Sequence, residues 1–212
     1  SFAPDLERCR LLCETIDKRV TGYSKHYILV EHADVALFKH LESPRRVIVD
    51  EKDLFPDWIR AFPDPFYLGR RRIWLSLRTL PLRGWHAQQL RRIAIADKLD
   101  DDAFFYCDSD VAFLKPFDCA ALWRGADLRL FRRDNELLGE VPGDQRLWAG
   151  NAAMLLGIKD PVLPHGYVGT LIAWRRDRLL GMCRRIEEVA SRHWMQAIGR
   201  SRRFSECTIY GH

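Results

Sequence analysis

The sequence predicts an α/β domain, a mixed sheet flanked by helices, and three stretches predict it. Residues 5–20 repeat apolar side chains at Leu6, Cys9, Cys13, Ile16 and Val20, the three-and-four spacing of a one-faced helix. His26–Val30 and Arg46–Asp50 read as strands on either side of a short helix, an order that implies parallel pairing with a right-handed crossover. In mid-chain, Phe104-Phe105-Tyr106-Cys107 is an apolar strand that runs directly into Asp108-Ser109-Asp110. Two carboxylates are thereby placed at the rim of a sheet, where open α/β folds bind ligands.

Taken in order, Pro4 and Asp5 supply start signals for the first helix. Only Ser1-Phe2-Ala3 precedes it, although a helix that opens an α/β unit is expected to be led in by a buried strand, either cut short or lying before residue 1. Asp34 is the expected cap of a helix over residues 34–41, and Val47-Ile48-Val49 is too continuously apolar to face water. Residues 51–83 lose clean periodicity, with Pro56, Pro63, Pro65 and Pro81 among aromatic residues, and are expected to be irregular with helix around residues 73–77. A helix over residues 85–99 turns Leu90, Ile93 and Ala94 inward. Asp100-Asp101-Asp102 comes before the central strand, at the opposite sheet edge from Asp108 and Asp110, and reads as a solvated connection.

Beyond Phe117, Leu128 and Leu130 alternate with charges, and residues 152–156 and 170–174 are short apolar runs. These suit short strands that extend the sheet in mixed or antiparallel fashion. Leu179, Cys183, Ile186, Ala190 and Ala197 mark one long amphipathic helix, and residues 204–212 follow as a tail.

A chain of 212 residues, 47% hydrophobic and 30% charged, is of the size and composition of one soluble globular domain, and no apolar run approaches the length of a membrane span. The net charge of +5 is unevenly spread: residues 175–203 hold nine Arg against Asp177, Glu187 and Glu188, a local +6 that leaves the rest of the chain at −1. Such a run fits nucleic acid, an anionic membrane surface, a phosphate-bearing substrate or simply the solvated face of a helix. Nucleic-acid recognition motifs are missing, so no nucleic-acid partner is expected. Cys9, Cys13, Cys107, Cys119, Cys183 and Cys207 form no C-x-x-C pair and read as small apolar residues in a reducing compartment. The expected location is the cytoplasm, with attachment at a membrane surface left open.

Two acids one residue apart at a strand end need a positive partner, or one must take up a proton. A hard divalent cation, Mg²⁺ or Mn²⁺, accepts oxygen ligands and shares its remaining positions with substrate phosphates, which points to a metal-bound diphosphate. The plain alternative is an acidic turn that closes a strand.

The strand ending in Asp108-Ser109-Asp110 and continuing into Phe113-Leu114-Lys115-Pro116-Phe117 resembles the DXD segment of GT-A type glycosyltransferases. Trp85-His86-Ala87-Gln88-Gln89-Leu90, Gly166-Tyr167-Val168-Gly169-Thr170, and Ser205-Glu206 with His212 are similar to uncharacterised bacterial members of that superfamily. The resemblance implies a GT-A-like Rossmann-type fold in one domain, with residues 1–117 as the nucleotide and donor half and 118–212 as the acceptor half. It implies transfer of a sugar from a nucleotide-diphosphate donor, a UDP-sugar, to a hydroxyl of a glycan, lipid or small molecule, with Mn²⁺ or Mg²⁺ bound.

Carried over by position, Asp110 is a direct metal ligand, Asp108 contacts the metal or the ribose, Ser109 packs on the donor and His212 is the C-terminal metal-binding His. Ala3 and Pro4 hold the nucleoside through backbone groups, and Gln88, Gly166 and Gly169 belong to the donor site. Glu206 resembles the acid of the xED motif, the base for the acceptor hydroxyl, although Cys207 stands where that motif has Asp. Two rival readings are a haloacid dehalogenase-type phosphatase or phosphotransferase, whose first motif is also a strand ending in D-x-D, and a non-catalytic nucleotide-sugar-binding module.

Overall fold

A computed structural model describes residues 1–69, 71–141, 143–159 and 163–212. In chain order its elements are α1 (Leu6–Arg19), β1 (Val20–Thr21), β2 (His26–Val30), α2 (Val35–Phe38), β3 (Arg46–Asp50), β4 (Arg60–Pro63), β5 (Arg72–Leu75), β6 (Leu82–Arg83), α3 (Gly84–Lys98), β7 (Ala103–Cys107) and β8 (Phe117–Asp118). There follow β9 (Trp123–Arg124), β10 (Asp127–Leu128), α4 (Gln145–Leu156), β11 (Leu171–Arg175), α5 (Arg176–Ala190), α6 (Trp194–Ile198) and α7 (Glu206–Gly211). The protein is mixed α/β. Among the described residues the strands pair in small sheets: β2 with β3 and β1 with β8 in parallel, β9 with β10 antiparallel, β7 with β11, and β4, β5 and β6 as an antiparallel set of three. No helix among them is long and apolar enough to cross a membrane.

The chain forms two compact units. The first comprises Ser1–Phe55, Phe105–Arg129 and Thr170–Ala173, the second Pro56–Phe104, Leu130–Gly169 and Trp174–His212.

In the first unit the predicted parallel pair is present, in register from His26 opposite Arg46 to Val30 opposite Asp50. Helix α1 divides its apolar stripe in two. Cys9 and Cys13 pack with Ile28, Val30 and Phe38, whereas Leu12 and Ile16 pack with Val20 and Phe113. One helix therefore covers the parallel strands and also holds the segment that follows Asp110. All six cysteines are free. Asp34 does not cap its own helix: residues 35–38 form one α-turn flanked by 3-10 turns, and the Asp34 carboxylate instead accepts the Ala3 N–H at 2.7 Å. A short polar side chain bonds whichever backbone donor lies nearest, and here that donor is distant in sequence.

Arg46 is buried, and four acceptors make that tolerable: the carbonyls of Leu41 and Cys13, each at 3.2 Å, Asp17 Oδ1 at 2.6 Å and His26 Nδ1 at 3.0 Å. By accepting from a guanidinium, His26 must keep its Nδ1 lone pair. Burial first, and then the Arg46 charge, push its pKa down to about 4 from an ordinary 6.5. The folded chain thus prefers the neutral ring, and as pH falls the unfolded chain takes up the proton first. Stability is therefore expected to be intact above pH 6.5 and to drain between pH 6.5 and about 4, by up to roughly 3 kcal/mol at about 1.4 kcal/mol per pKa unit. Urea unfolding at stepped pH checks this. His26→Asn, which keeps an acceptor and does not titrate, should flatten that slope, and an unchanged slope would refute the assignment.

In the second unit three expectations are corrected. Residues 73–77 are not helical: β5 runs Arg72–Leu75, paired with β4 from Arg60 opposite Leu75 to Pro63 opposite Arg72. Ile73 and Trp74 are buried there, and these β-branched and aromatic residues fit a pleated surface better than a helix. Residues 152–156 are not a strand but the end of α4, whose buried Ala149, Ala152, Ala153 and Leu156 keep helical spacing, and which Gly157 stops with φ 67°. Residues 204–212 are not a loose tail. Ser205 caps α7 by accepting the Thr208 N–H at 3.4 Å, and Glu206, Cys207, Thr208 and Ile209 are buried.

The long amphipathic helix is present as α5, with Leu179, Met182, Cys183 and Ile186 buried, but it ends at Ser191 in a left-handed turn before α6 begins. The arginines here serve structure: Arg175, at the end of β11, pairs with Asp177 of the helix at 2.8 Å, and Arg185 of the helix donates to the Leu156 carbonyl at 2.9 Å. Asp100, 97% exposed, meets Arg176 at 3.0 Å, as suits a solvated connection.

Candidate functional site

The site begins where β7 stops. The chain leaves the strand at Cys107, turns at Ser109 and Asp110, and re-enters the core at Phe113. Asp108 and Ser109 are half-buried and Asp110 is exposed. The turn is anchored on both sides. Phe105 stacks on Phe117 with ring centroids 5.3 Å apart, Phe113 lies 5.8 Å from Phe117, and the Phe113 N–H donates to Thr15 Oγ1 at 3.2 Å. Aromatic packing thus fixes the backbone while leaving the second carboxylate in solvent.

Among the described residues no cluster of three or more His, Cys, Asp and Glu side chains is placed to hold a metal ion. Two carboxylates on one turn could supply part of the oxygen shell that a hard divalent cation takes, the rest of which waters and a substrate phosphate would complete.

Also in the first unit, the predicted nucleoside residues sit beside the end of the parallel pair. The Ser1 amine donates to the Leu29 carbonyl at 2.6 Å, and the Glu31 N–H donates to the Ser1 carbonyl at 3.1 Å, which runs the N-terminal stretch alongside β2. Ala3 and Pro4 are exposed in the 3-10 turn that enters α1. Past the ends of β2 and β3, His32 Nδ1 lies 2.5 Å from Asp50 Oδ2, while Asp50 Oδ1 accepts the Lys52 N–H at 2.9 Å. His32 and Asp50 escaped the sequence reading because only the parallel register brings them together.

In the second unit Glu206 is buried against Arg92, Nη1 to Oε1 at 2.9 Å, and its N–H donates to Gln89 Oε1 at 2.9 Å. Burial pushes the Glu206 pKa up, opposed by the Arg92 charge and hydrogen bond. Gln88 lies on the exposed face of α3, so its neighbour Gln89 is the one that reaches α7. Arg92 and Gln89 follow Glu206 and Gln88 in importance only once α7 is known to dock on α3, a contact between residues more than a hundred apart.

The second unit also brings two predicted motifs together. His212, following α7, directs Nδ1 to the Thr208 carbonyl at 2.9 Å, and its ring lies edge-on to Tyr167 at 5.6 Å. Gly211 carries the Tyr167 ring against it so closely that a Cβ there would collide with the ring. Since a carbonyl can only accept, the proton of the neutral ring is on Nδ1, and Nε2 keeps a lone pair. That Nε2 is buried with no hydrogen-bond partner among the described residues, and burial pushes the His212 pKa down. A neutral imidazole with an unmatched inward lone pair is the state in which His ligates a metal.

Gly166 and Arg133 exchange backbone hydrogen bonds at 2.8 and 2.9 Å. The space beside Gly166 is taken by Glu136, and that beside Gly169 by the Phe131 ring, 3.0 Å from where a Cβ would sit. Both glycines are thus needed for close packing of this loop, and the loop leads to Tyr167 and so to His212.

No curated protein and no solved structure matches the chain. Residues 1–211 match the sequence profile described as a family of unknown function, DUF6492, and the chain belongs to that family.

Proposed function

We propose that this chain is a metal-dependent glycosyltransferase of GT-A type, moving a sugar from a nucleotide-diphosphate donor, a UDP-sugar, to a hydroxyl on a glycan, lipid or small-molecule acceptor. The observation that carries the reading is the Asp108-Ser109-Asp110 turn at the end of β7, packed on both flanks and open at Asp110. The resemblance also assigns His212, whose Nε2 has no hydrogen-bond partner among the described residues, as a metal ligand. Both kinds of donor suit Mn²⁺, and the carboxylates alone suit Mg²⁺.

When bound, a divalent ion would neutralise the negative charge that develops on the departing nucleotide diphosphate. In this reading Asp110 and Asp108 supply oxygen ligands, with Asp108 also reaching the ribose, and Ser109 packs on the donor. His212 is assigned to the same ion by the resemblance. Ala3 and Pro4 are assigned to the nucleoside through their carbonyls, since Asp34 holds the Ala3 N–H and Pro4 has none, and Gln88, Gly166 and Gly169 are assigned to the donor site. Glu206 is the candidate base toward the acceptor hydroxyl. Its pairing with Arg92 also secures α7 on α3, so base chemistry there needs Arg92 to shift.

A panel of nucleotide sugars incubated with and without Mn²⁺ tests the reading. The expected result is Mn²⁺-dependent release of the nucleotide diphosphate from at least one donor. UDP and Mn²⁺ together should also raise the melting temperature where neither alone does, by the equivalent of about 2.7 kcal/mol at a hundredfold excess over Kd. No release from any donor, with no joint stabilisation, would rule the proposal out.

A further inference from the structure

The turn between β4 and β5 carries a surface that donor chemistry does not use. Phe66 is 82% exposed, Leu68 86% and Tyr67 41%, three large apolar side chains in succession at a hairpin tip. Single exposed apolar residues are ordinary, but a contiguous group marks an interaction site. Leu68 also adopts φ 51°, a left-handed conformation that a side chain with a Cβ disfavours.

This turn is well organised. Asp64 is fully buried, and its Oδ1 accepts the Phe66 N–H at 3.0 Å. The Asp64 carbonyl accepts from Tyr67 at 3.1 Å and Gly69 at 3.0 Å, while Leu68 donates to the Pro65 carbonyl at 3.3 Å. Pro65 has no N–H to satisfy. Every amide from residue 65 to 69 is therefore matched inside the turn, so the tip can leave water without stranding a donor. A nucleic-acid phosphate would find no free backbone donor there.

Cations ring the apolar tip. The Arg71 guanidinium lies 4.8 Å from the Tyr67 ring centre, and that of Arg83 lies 5.9 Å from Phe66 and 5.7 Å from Tyr67. Arg72, half-buried, opens β5. The one acid of the turn, Asp64, is buried and pairs with Arg83 at 3.2 Å, which leaves no exposed carboxylate in the turn beside Arg71. An apolar point collared by arginine matches an anionic bilayer surface, whose acyl boundary accepts Phe and Leu and whose headgroups accept guanidinium.

We propose that the turn over residues 64–69 docks on an anionic lipid bilayer, with Phe66 and Leu68 entering the headgroup region and Arg71 and Arg72, at the start of the returning strand, facing the lipid charges. Docking of this kind is reversible and falls steeply with salt, because a loop buries few apolar groups and relies on screened charge. It does not depend on the glycosyl-transfer reading.

Co-sedimentation of the full chain with vesicles of phosphatidylcholine, with or without a phosphatidylserine fraction of about one third, provides the test. The native protein should bind the anionic vesicles at low salt and not the neutral ones. The pair Phe66→Ser with Leu68→Ser should weaken binding by about tenfold or more, as should Arg71→Gln with Arg72→Gln. Both pairs should keep the native melting temperature, since Phe66, Leu68 and Arg71 are exposed and Arg72 is half-buried at the strand's first position. Absence of anionic-vesicle binding by the native protein, equal binding to neutral vesicles, or full binding by the Ser pair would each overturn the proposal. So would self-association or oligonucleotide binding that the Ser pair abolishes, because the turn would then serve another partner.

Discussion

Asp110→Asn is expected to lower Mn²⁺-dependent turnover of a nucleotide sugar by about a thousandfold, equivalent to roughly 4 kcal/mol of lost transition-state stabilisation. The substitution keeps the size and shape of the side chain, removes its charge and replaces one acceptor oxygen with an NH2 donor that cannot ligate a cation. Because Asp110 is exposed and lies outside the aromatic stack, the melting temperature should hardly move. Raising Mn²⁺ should restore part of the activity, since the loss includes affinity for the ion and mass action can recover that share. Asp108 is half-buried, so Asp108→Asn should combine an activity loss with a measurable drop in stability. Retention of more than about a tenth of native activity in Asp110→Asn would mean that the carboxylate does not ligate the ion.

Elements with long, one-faced patterns were legible in the sequence. Helix α1, the β2 and β3 pair, α3, β7 and the start of α5 all appear where periodicity or apolar continuity places them. The misread elements are those whose pattern is too short to separate periods of two and 3.6. Four residues of β5 and the five apolar residues that end α4 allow either reading, and only wider context decides. For α4 the deciding signal was present: Ala149, four residues before Ala153, extends the helical spacing backward, and Gly157 supplies the stop. Helix α7 was invisible for a different reason. Ser205-Glu206-Cys207-Thr208 has the composition of a surface tail, and its polar groups become tolerable in the interior only because α3 brings Gln89 and Arg92 to meet them.

The candidate site divides along the same line. Asp108 and Asp110 announce themselves by adjacency to a strand, a local property. The lone pair of His212 depends on Thr208, Tyr167 and Gly211 all being in place, and no spacing rule shows which ring nitrogen is left over. The glycines at 166 and 169 illustrate how a motif can be right about residue type while several physical causes favour it. Close approach requires Gly there, and in the folded chain the close neighbours are Glu136 and Phe131.

Arg92→Met is expected to destabilise the chain by about 3–5 kcal/mol at pH 8, since it strands a buried carboxylate without its cation. Side-chain exposure is 14% for Arg92 and 5% for Glu206, so solvent cannot replace the lost partner. For a domain of this size the melting temperature should fall by roughly 10 °C. The loss should depend on pH in a definite direction. Burial already raises the Glu206 pKa and Arg92 opposes that rise, so removing Arg92 raises it further. An acid with a raised folded pKa binds its proton more tightly in the native state, so its unfavourable contribution is absent below the unfolded carboxylate range and grows as pH climbs toward the folded pKa. Arg92→Met should therefore recover much of its stability at pH 5, where Glu206 can take up a proton and donate it to a neighbour. Adding Glu206→Gln to Arg92→Met should stabilise the single variant at pH 8 by making that neutral state permanent. A deficit equal at pH 5 and pH 8, or a double variant no more stable than Arg92→Met, would show that the arginine contributes by packing its aliphatic stem and not by neutralising the acid that ties α7 to α3.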